Sequence, residues 1–528
     1  MTALDYAWAG ILAVFQGPEL FALFGLPISV TLVMILGGFL LGIAVGATPG
    51  MAGPIAMAIS LPILISTFGF TPDALLPVMG FLIGIMKGAT IGGAVPAILF
   101  NTPGTPDAYM TTLDGYPMTQ KGEAKKALKV AHFASVTGDT FSDIVLILCA
   151  PFLAILVEGY LDLPEKTALL ILSLSFIAAA VGGSAAKGLI STGLGLLCVY
   201  IGTGQDFYPR LSLGTEALND GIPLTAAILG VLIIGAVFKE LSDTWAADTD
   251  RRSAAAMSAQ KDQRLRGRDL RRLCPHIARS SLIGTAIGAL PGVGSTLAAT
   301  LGYTIGRARH ERRRAADQPA FGDGAIEGVA ATEAANSSVS GANLIPVLSL
   351  GIPGNTAAIF LILAAESIGG FNPGPSVFRF TTDTVNPELV IAFGLFTCMI
   401  VANVLNWTIG GAFMRSMGIM TRIPRQILLP IVLILTLTAI YVQETAMSAV
   451  WFTLAFGVLG YAMRVLEISP LPFVIAFILG GRIEQSAREA FSATGGDPFF
   501  LFTSPIAAVF MALSIVVIWV AMRRKERR

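Results

Sequence analysis

The stretch that decides the fold is Gly46-Ala47-Thr48-Pro49-Gly50-Met51-Ala52-Gly53, a proline-glycine break inside apolar sequence. The second half of the chain contains a matching break, Gly288-Ala289-Leu290-Pro291-Gly292-Val293-Gly294-Ser295. Each break is followed by another, which runs from Pro96 to Pro106 in the first half and from Pro346 to Thr356 in the second. Pro291 follows Pro49 by 242 positions and Pro353 follows Pro103 by 250, which indicates an internal duplication with one small insertion.

The composition is that of an integral membrane protein. Of the 528 residues, 54% are hydrophobic and 13% are charged, and the mean hydropathy is +0.73, whereas soluble domains carry roughly 25% charged residues. The formal net charge of +1 gives no reason to expect a nucleic-acid partner. The four cysteines and three histidines are too scattered to indicate disulfides or a metal cluster.

We predict an all-α polytopic membrane protein with about eleven to thirteen membrane elements, because a full helical crossing needs ~20 apolar residues and several apolar runs are shorter. Two related repeats, residues 1–242 and 276–522, flank a basic linker at 243–275, and residues 523–528 form a basic tail. Broken backbone at membrane depth persists only where it lines a cavity or is buried in protein. Two broken elements in matching positions of each half therefore predict the central binding site of a transporter.

Basic residues predict the orientation of the chain. The linker, the stretch 307–314 and the tail are rich in arginine, and the positive-inside rule places all three in the cytoplasm. Residues 277–305 lie between two of these segments and are too short for two full helices, so we predict a re-entrant hairpin with its tip at 288–295. No lysine or arginine precedes Lys87. We therefore expect inverted repeats, with the first break entering from the periplasmic side.

Small polar residues beside the breaks predict helix N-termini that face a substrate. Thr105 suits an N-cap and Pro106 the first helical position, and Asn355-Thr356 repeats this arrangement in the second half. Ser295-Thr296 and Thr48 offer two further termini. Helix N-termini suit a carboxylate, and oxygen atoms at such breaks suit a sodium ion. The alternative is that each motif is only a turn at the membrane surface.

Polar residues inside apolar helices are a second group of candidates. Glu333, Asn336 and Asn343 share one face of a predicted helix. They would line a wet cavity or, alternatively, hold neighbouring helices together.

Three charged residues in apolar sequence leave their roles open. Lys87 would neutralise a carboxylate substrate or, alternatively, extend to the membrane interface. Asp139 and Asp143 are four positions apart and would serve a cation or a proton, or lie at a solvated helix end.

The sequence thus predicts no catalytic residue and no resident cofactor, with sodium or a proton as the coupling ion. The candidate substrate- and ion-binding residues are Thr48, Pro49, Gly50, Lys87, Asn101, Thr102, Pro103, Gly104, Thr105, Gly292, Gly294, Ser295, Thr296, Glu333, Asn336, Asn343, Pro353, Gly354, Asn355 and Thr356. A sodium site would use Thr102, Thr105, Asn336 and Asn355.

Several motifs between residues 40 and 380 follow the order of one family pattern. They are Asn101-Thr-Pro-Gly-Thr-Pro106, Leu113-Asp-Gly-Tyr-Pro-Met118, Leu290-Pro-Gly-Val-Gly294, Phe321-Gly-Asp-Gly-Ala325, Glu327-Gly-Val-Ala-Ala-Thr-Glu333-Ala-Ala-Asn336, Leu350-Gly-Ile-Pro-Gly354 and Asn372-Pro-Gly-Pro375. On these motifs the chain resembles the large permease subunit of the tripartite tricarboxylate transporters, the TctA family. Thr332 stands where that pattern has proline, and Asn355 where it has serine.

The resemblance implies a secondary transporter of the bacterial inner membrane that imports small organic acids, such as citrate or other tri- and dicarboxylates. It implies two protein partners, a small TctB-like membrane subunit and a periplasmic TctC-like solute-binding protein, and leaves a homo-oligomer open. It also implies a sodium or proton gradient in place of ATP, and no Gly-x-x-x-x-Gly-Lys-Ser/Thr loop occurs in the sequence. The alternatives are a carboxylate or anion channel and a membrane-embedded enzyme.

Overall fold

The computed structural model describes residues 2–23, 26–48, 51–180, 184–202, 210–211, 214–246, 265–312, 318–380, 385–417 and 425–523. The candidates Pro49 and Gly50, most of the basic linker and the end of the basic tail lie outside the described residues.

The first half contains eleven of the described helices and one two-stranded hairpin. They are α1 (Ala3–Phe15), β1 (Glu19–Leu23), β2 (Leu26–Ser29), α2 (Val30–Gly46), α3 (Gly53–Phe68), α4 (Pro72–Gly92), α5 (Ala94–Phe100), α6 (Tyr109–Gln120), α7 (Ala124–Tyr160), α8 (Leu163–Ala180), α9 (Ala185–Val199), α10 (Leu224–Leu229) and α11 (Gly235–Ala246). A 3-10 turn, Pro106–Ala108, precedes α6, and a π-helical turn, Gly230–Ile234, joins α10 to α11.

The second half contains the remaining eleven described helices. They are α12 (Gly267–Gly288), α13 (Gly294–Glu311), α14 (Ile326–Ala342), α15 (Leu344–Leu350), α16 (Thr356–Ile368), α17 (Pro387–Leu405), α18 (Gly411–Ser416), α19 (Arg425–Glu444), α20 (Met447–Val465), α21 (Leu471–Ala493) and α22 (Pro505–Arg523). A π-helical turn, Asn406–Gly410, joins α17 to α18.

Helix boundaries recur at the two offsets found in the sequence. Helix α2 ends at Gly46 and α12 at Gly288, 242 positions later, while α5 and α15 cover residues that are 250 positions apart. The residues directly after α5 and α15, Asn101 and Gly351, both have left-handed backbones, with φ of 54° and 71°. The broken helices of the two halves therefore share one local geometry, which supports the predicted duplication.

In each half, glycines allow the helix before the first break to pack closely against the broken helix that follows. These helix pairs are α2 with α4 and α12 with α14. A Cβ added to Gly42 of α2 would lie 2.5 Å from the carbonyl oxygen of Ile85 on α4. A Cβ added to Gly284 of α12 would lie 2.2 Å from the carbonyl oxygen of Ala335 on α14. Gly284 and Ala335 stand 242 and 250 positions after Gly42 and Ile85, so the two halves share this backbone contact, which only glycine permits.

The segment predicted as a re-entrant hairpin forms two packed helices, α12 and α13, joined by residues 289–293. The tip agrees with the predicted 288–295. The arms extend further than the predicted 277–305, from Gly267 to Glu311, because polar ends continue both helices beyond the apolar core.

The predicted all-α polytopic membrane fold is confirmed. Seven described helices are long and apolar enough to cross a membrane, and six shorter apolar helices of 10–17 residues accompany them, thirteen in all. One departure is the antiparallel hairpin β1–β2, which occupies the start of an apolar run otherwise continued by α2. Pro18 and Pro27 explain the departure, because proline disfavours a continuous helix through this segment.

Candidate functional site

A cavity of about 520 Å³ lies where the breaks of the two halves meet, and we call it the central cavity. Its described lining comprises Ala52, Gly53, Pro54, Met57, Met86, Ala89, Thr90, Thr105, Pro106, Asp107, Gly294, Ser295, Thr296, Asn336, Val339, Ser340, Asn343, Asn355, Thr356, Ala357, Ser469 and Leu471. Among these residues Asp107 is the one with a charged side chain, and no lysine or arginine is included.

The lining is built largely from equivalent positions of the two halves. Nine pairs of lining residues are related by the offsets of 242 or 250 positions. The pairs are Ala52/Gly294, Gly53/Ser295, Pro54/Thr296, Met86/Asn336, Ala89/Val339, Thr90/Ser340, Thr105/Asn355, Pro106/Thr356 and Asp107/Ala357. The central cavity therefore lies between the two halves and uses the same element positions from each.

The paired positions differ in polarity. Several first-half members are apolar, such as Pro54 and Met86, while their second-half counterparts Thr296 and Asn336 carry hydrogen-bonding groups. Asn343 corresponds to Gly93, so it adds an amide that the first half lacks. The second half consequently supplies most of the polar side chains.

Two buried amides in the lining have unused hydrogen-bonding groups. Asn336 and Asn343 are 2% and 1% exposed. Asn336 Nδ2 and both polar atoms of the Asn343 side chain have no partner among the described residues. Buried polar groups are normally hydrogen-bonded, so these amides are suited to bind a polar molecule in the cavity.

Helix N-termini also converge on the central cavity. The first residues of α3, α13, α16 and α21, and of the 3-10 turn before α6, all belong to its lining or lie next to it. The first N–H groups of a helix have no intrahelical partner and lie at the positive end of the dipole. The cavity can therefore attract an anion without a lysine or arginine side chain.

The helix starts predicted beside Thr105, Ser295 and Asn355 are present in the structure, with different capping. The start predicted at Thr48 is wrong, because this residue follows the C-terminal end of α2 and α3 begins at Gly53. Asn355 caps α16, because its Oδ1 accepts a hydrogen bond from the backbone N–H of Ala358 at 2.9 Å. Thr105 occupies the N-cap position before Pro106, but its side chain makes no capping hydrogen bond. The Thr48 hydroxyl instead donates to the carbonyl of Ala44 at the end of α2.

Eight candidates predicted from the sequence lie in the lining of the central cavity. They are Thr105, Gly294, Ser295, Thr296, Asn336, Asn343, Asn355 and Thr356. Thr296 also donates a hydrogen bond of 2.7 Å to Asp107, which ties the start of α13 to the loop before α6.

Other candidates lie in the loops that shape the breaks rather than in the lining. They are Thr48, Asn101, Thr102, Pro103, Gly104, Gly292, Pro353 and Gly354. A backbone hydrogen bond joins two of these loops, from Gly292 N to the Gly354 carbonyl at 2.9 Å. Another, from Gly104 N to the Gly93 carbonyl at 3.2 Å, ties the loop after α5 to the junction of α4 and α5. Of the four residues proposed for sodium, Thr102 is therefore the one that does not line the cavity.

Two charged candidates are buried away from the cavity lining. Lys87 contacts Asp139 and Asp143, with Nζ–oxygen distances of 2.8 and 2.7 Å. Glu333 accepts hydrogen bonds from the hydroxyls of Thr111 and Ser135. Each of these side chains has partners from another helix, so neither is directed into the cavity.

Sequence reasoning missed several lining residues. Thr90 and Ser340 occupy positions 250 apart, but the offset alone does not say that their side chains line the cavity. Asp107 directly follows the predicted helix start at Thr105 and Pro106, but nothing in the local sequence indicates that its side chain lines the cavity. Ser469 and Leu471 begin α21, outside the duplicated breaks, so the repeat gave no signal for them.

The chain is similar to known proteins over most of its length. Residues 32–475 match the family described as "Tripartite tricarboxylate transporter TctA family". An Agrobacterium vitis protein described as "Uncharacterized 52.8 kDa protein in TAR-I ttuC' 3'region" is 31% identical over 501 residues, 93% of each chain. A second protein from that organism, "Uncharacterized protein in TAR-II ttuC' 3'region", is 30% identical over 243 residues, which are 45% of this chain and 93% of the relative.

Proposed function

The chain belongs to the TctA family of tripartite tricarboxylate transporters, and from this premise we propose that it is a secondary carrier that binds a small carboxylate in its central cavity. As a multi-pass membrane protein of a transporter family, it would move the substrate rather than transform it chemically.

The observation that carries the proposal is the character of the central cavity. Its polar groups are helix N-termini, hydroxyls and the amides of Asn336, Asn343 and Asn355, and its described lining contains no lysine or arginine. Backbone N–H groups and amides bind a carboxylate through hydrogen bonds of moderate strength. Moderate binding suits a carrier, because the substrate must also leave.

The two halves have different roles in this proposal. The second half, through Asn336, Asn343 and Asn355, would hold one carboxylate. The first half, through Thr90 and Thr105, would contact the rest of the substrate. Asp107 would repel a carboxylate in its vicinity and so restrict the orientation that the substrate adopts.

Because equivalent elements of both halves line the cavity, relative movement of the repeats would open it alternately to either side. We propose that the carrier lies in the bacterial inner membrane and is driven by a sodium or proton gradient. It would work with a small membrane subunit and a periplasmic solute-binding protein that delivers the substrate.

Uptake by proteoliposomes tests this proposal. Vesicles would contain this chain, its small subunit and its binding protein, and labelled di- and tricarboxylates would be offered with and without sodium and pH gradients. We expect saturable uptake that requires the binding protein and an ion gradient. Uptake without saturation and independent of both would instead indicate a channel, and vesicles lacking this chain provide the background.

A further inference from the structure

A buried charged cluster lies beside the central cavity, at the contact of α4, α7, α14 and α17. Lys87 of α4 contacts both Asp139 and Asp143 of α7, as described above. Asn403 of α17 donates to Asp143 Oδ2 at 2.7 Å, and Ser340 of α14 donates to Asp139. We call these five residues the Lys87 cluster.

The charges of the Lys87 cluster do not balance. With both aspartates ionised, one ammonium faces two carboxylates, which leaves a net charge of −1 in a site where all three side chains are at most 4% exposed. An uncompensated buried charge is strongly unfavourable. Asp143 Oδ1 is also buried without a hydrogen-bond partner among the described residues. One additional positive charge would neutralise the cluster, and the unpaired Asp143 Oδ1 is the carboxylate oxygen free to take a proton.

A proton fits this requirement better than a metal cation. The Lys87 ammonium lies within hydrogen-bond distance of both carboxylates, so a sodium ion between them would be next to another positive charge. A proton on Asp143 needs no such space. Gly341 leaves room for the carboxyl group, since a Cβ at this position would lie 2.2 Å from Asp143 Oδ1.

Ser340 connects the Lys87 cluster to the substrate site. This residue belongs to the lining of the central cavity and donates its hydroxyl hydrogen to Asp139. It lies on α14 between Asn336 and Asn343, the buried amides with unused groups. The Ser340 side chain therefore links the charged cluster to the amides that we propose bind the substrate carboxylate.

We propose that the Lys87 cluster is the proton-coupling site of the carrier, with Asp143 as the group that binds and releases the proton. The inference rests on the proposed transport function and specifies its coupling ion. Asp143 takes a proton from water on one side, an O–H bond forms, and the cluster changes from −1 to neutral. On the other side this bond breaks and the proton returns to water.

Other titratable groups on the neighbouring helices have partners elsewhere. On α14, Glu333 accepts hydrogen bonds from Thr111 and Ser135. Glu327, on the same helix, forms a salt bridge with Arg272. His132 of α7 contacts the carbonyl of Asn406. Helix α2 contains no charged residue, and Cys398 of α17 is buried near Gly80 of α4. Within the described part of the chain, the charged groups that face Asp143 are thus Lys87 and Asp139.

The test compares coupled uptake with exchange in proteoliposomes of the complete complex. One assay measures substrate accumulation driven by an imposed pH gradient without a sodium gradient. The other measures exchange of labelled for unlabelled substrate at equal pH. We expect Asp143→Asn to lose the pH-driven accumulation and to retain exchange. The matched control Ser142→Ala alters the adjacent buried residue, whose hydroxyl donates to the Asp139 backbone carbonyl, and should retain both activities.

Several results would overturn the inference. The first is pH-driven accumulation by the Asp143→Asn variant. The second is loss of pH coupling in Glu333→Gln while Asp143→Asn keeps it. The third is wild-type uptake that follows a sodium gradient alone. If the wild type shows neither accumulation nor exchange, the transport proposal itself fails.

A second variant keeps the inference testable if Asp143→Asn does not fold. Asn403→Ala removes the amide hydrogen bond that stabilises ionised Asp143. Asp143 then holds its proton more tightly. The variant should still take up substrate, but its pH profile of uptake should lie at higher pH than that of the wild type. An unchanged pH profile in a folded Asn403→Ala protein would contradict the inference.

Discussion

Substitution of Asn336 distinguishes an effect on substrate binding from an effect on protein stability. Its amide faces the central cavity, and its Nδ2 makes no hydrogen bond to a described residue. We expect Asn336→Ala to lower uptake on the order of 10- to 100-fold, since a hydrogen bond to a charged group contributes about 1.5–3 kcal/mol. The midpoint of thermal unfolding should not fall, because the substitution removes no side-chain hydrogen bond to a described residue. Radiolabelled uptake and thermal unfolding in detergent would measure the two effects.

The neighbouring Ser337→Ala is the control for this prediction. Ser337 is also buried on α14, and its hydroxyl has no partner among the described residues, but it is not part of the described cavity lining. Equal losses of uptake in both variants would mean that Asn336 acts through the packing of α14 and not through the substrate.

Residue roles could be predicted from the sequence only where local signals define them. Asn355 precedes a helix start in a repeated motif, and both its capping role and its position were predictable. Lys87 is different, because its partners Asp139 and Asp143 are 52 and 56 positions away on another helix. Apolar neighbours in the sequence indicate burial, but they do not identify the distant carboxylates that a buried ammonium requires.

The contact between α2 and α4 depends on glycine at one helix face. Gly42→Ala would place a Cβ 2.5 Å from the Ile85 carbonyl oxygen and force the two helices apart. We expect a loss of about 1–3 kcal/mol in the free energy of unfolding, the usual cost of overpacking. Unfolding of purified protein in detergent, followed by circular dichroism, would measure it.

Gly37→Ala on the same helix is the matched control. Its added Cβ would meet the Phe81 side chain at 3.6 Å, an ordinary contact, and alanine favours the helix over glycine. Stability should therefore be unchanged or slightly higher. An equal loss of stability in both variants would contradict the close-packing explanation.

Element boundaries were predictable where proline and glycine define them and less so elsewhere. The ends of α2 and α12 and the starts of α13 and α16 lie within the repeated breaks. The full extent of α7, 37 residues from Ala124 to Tyr160, was not predicted, because its polar first turns carry no hydropathy signal. The β1–β2 hairpin was missed because apolar residues suit strands and helices alike.

At the scale of the whole molecule, the repeated contacts explain why the binding site lies between the halves. Each half has a helical hairpin, a broken helix and a glycine contact in the same order: α2–α3 before α4–α5, and α12–α13 before α14–α15. Residues of both halves line the central cavity, so neither half alone encloses it. The duplication could be read from the spacing of breaks along the sequence. The pairing of Met86 with Asn336 could not, because a single offset does not say which side chains face inward.

The orientation of the two halves is the remaining prediction at this scale, and it follows from charge. Thr71 lies in the connection between α3 and α4, and Arg312 lies just after α13, at the corresponding end of the second hairpin. Both are exposed and therefore accessible to a reagent. If the repeats are inverted, these ends lie on opposite membrane faces, with the arginine-rich end of α13 in the cytoplasm.

Single-cysteine labelling with a membrane-impermeant maleimide would test the inversion. Serine should first replace the four native cysteines, since Cys149 and Cys274 are exposed. We expect Thr71→Cys to react from the periplasmic side of intact cells and Arg312→Cys to react only in inverted vesicles. The cysteine-free protein provides the background for both. Labelling of both positions from one side would mean that the hairpins enter the membrane from the same face, which would contradict the inverted arrangement of the repeats.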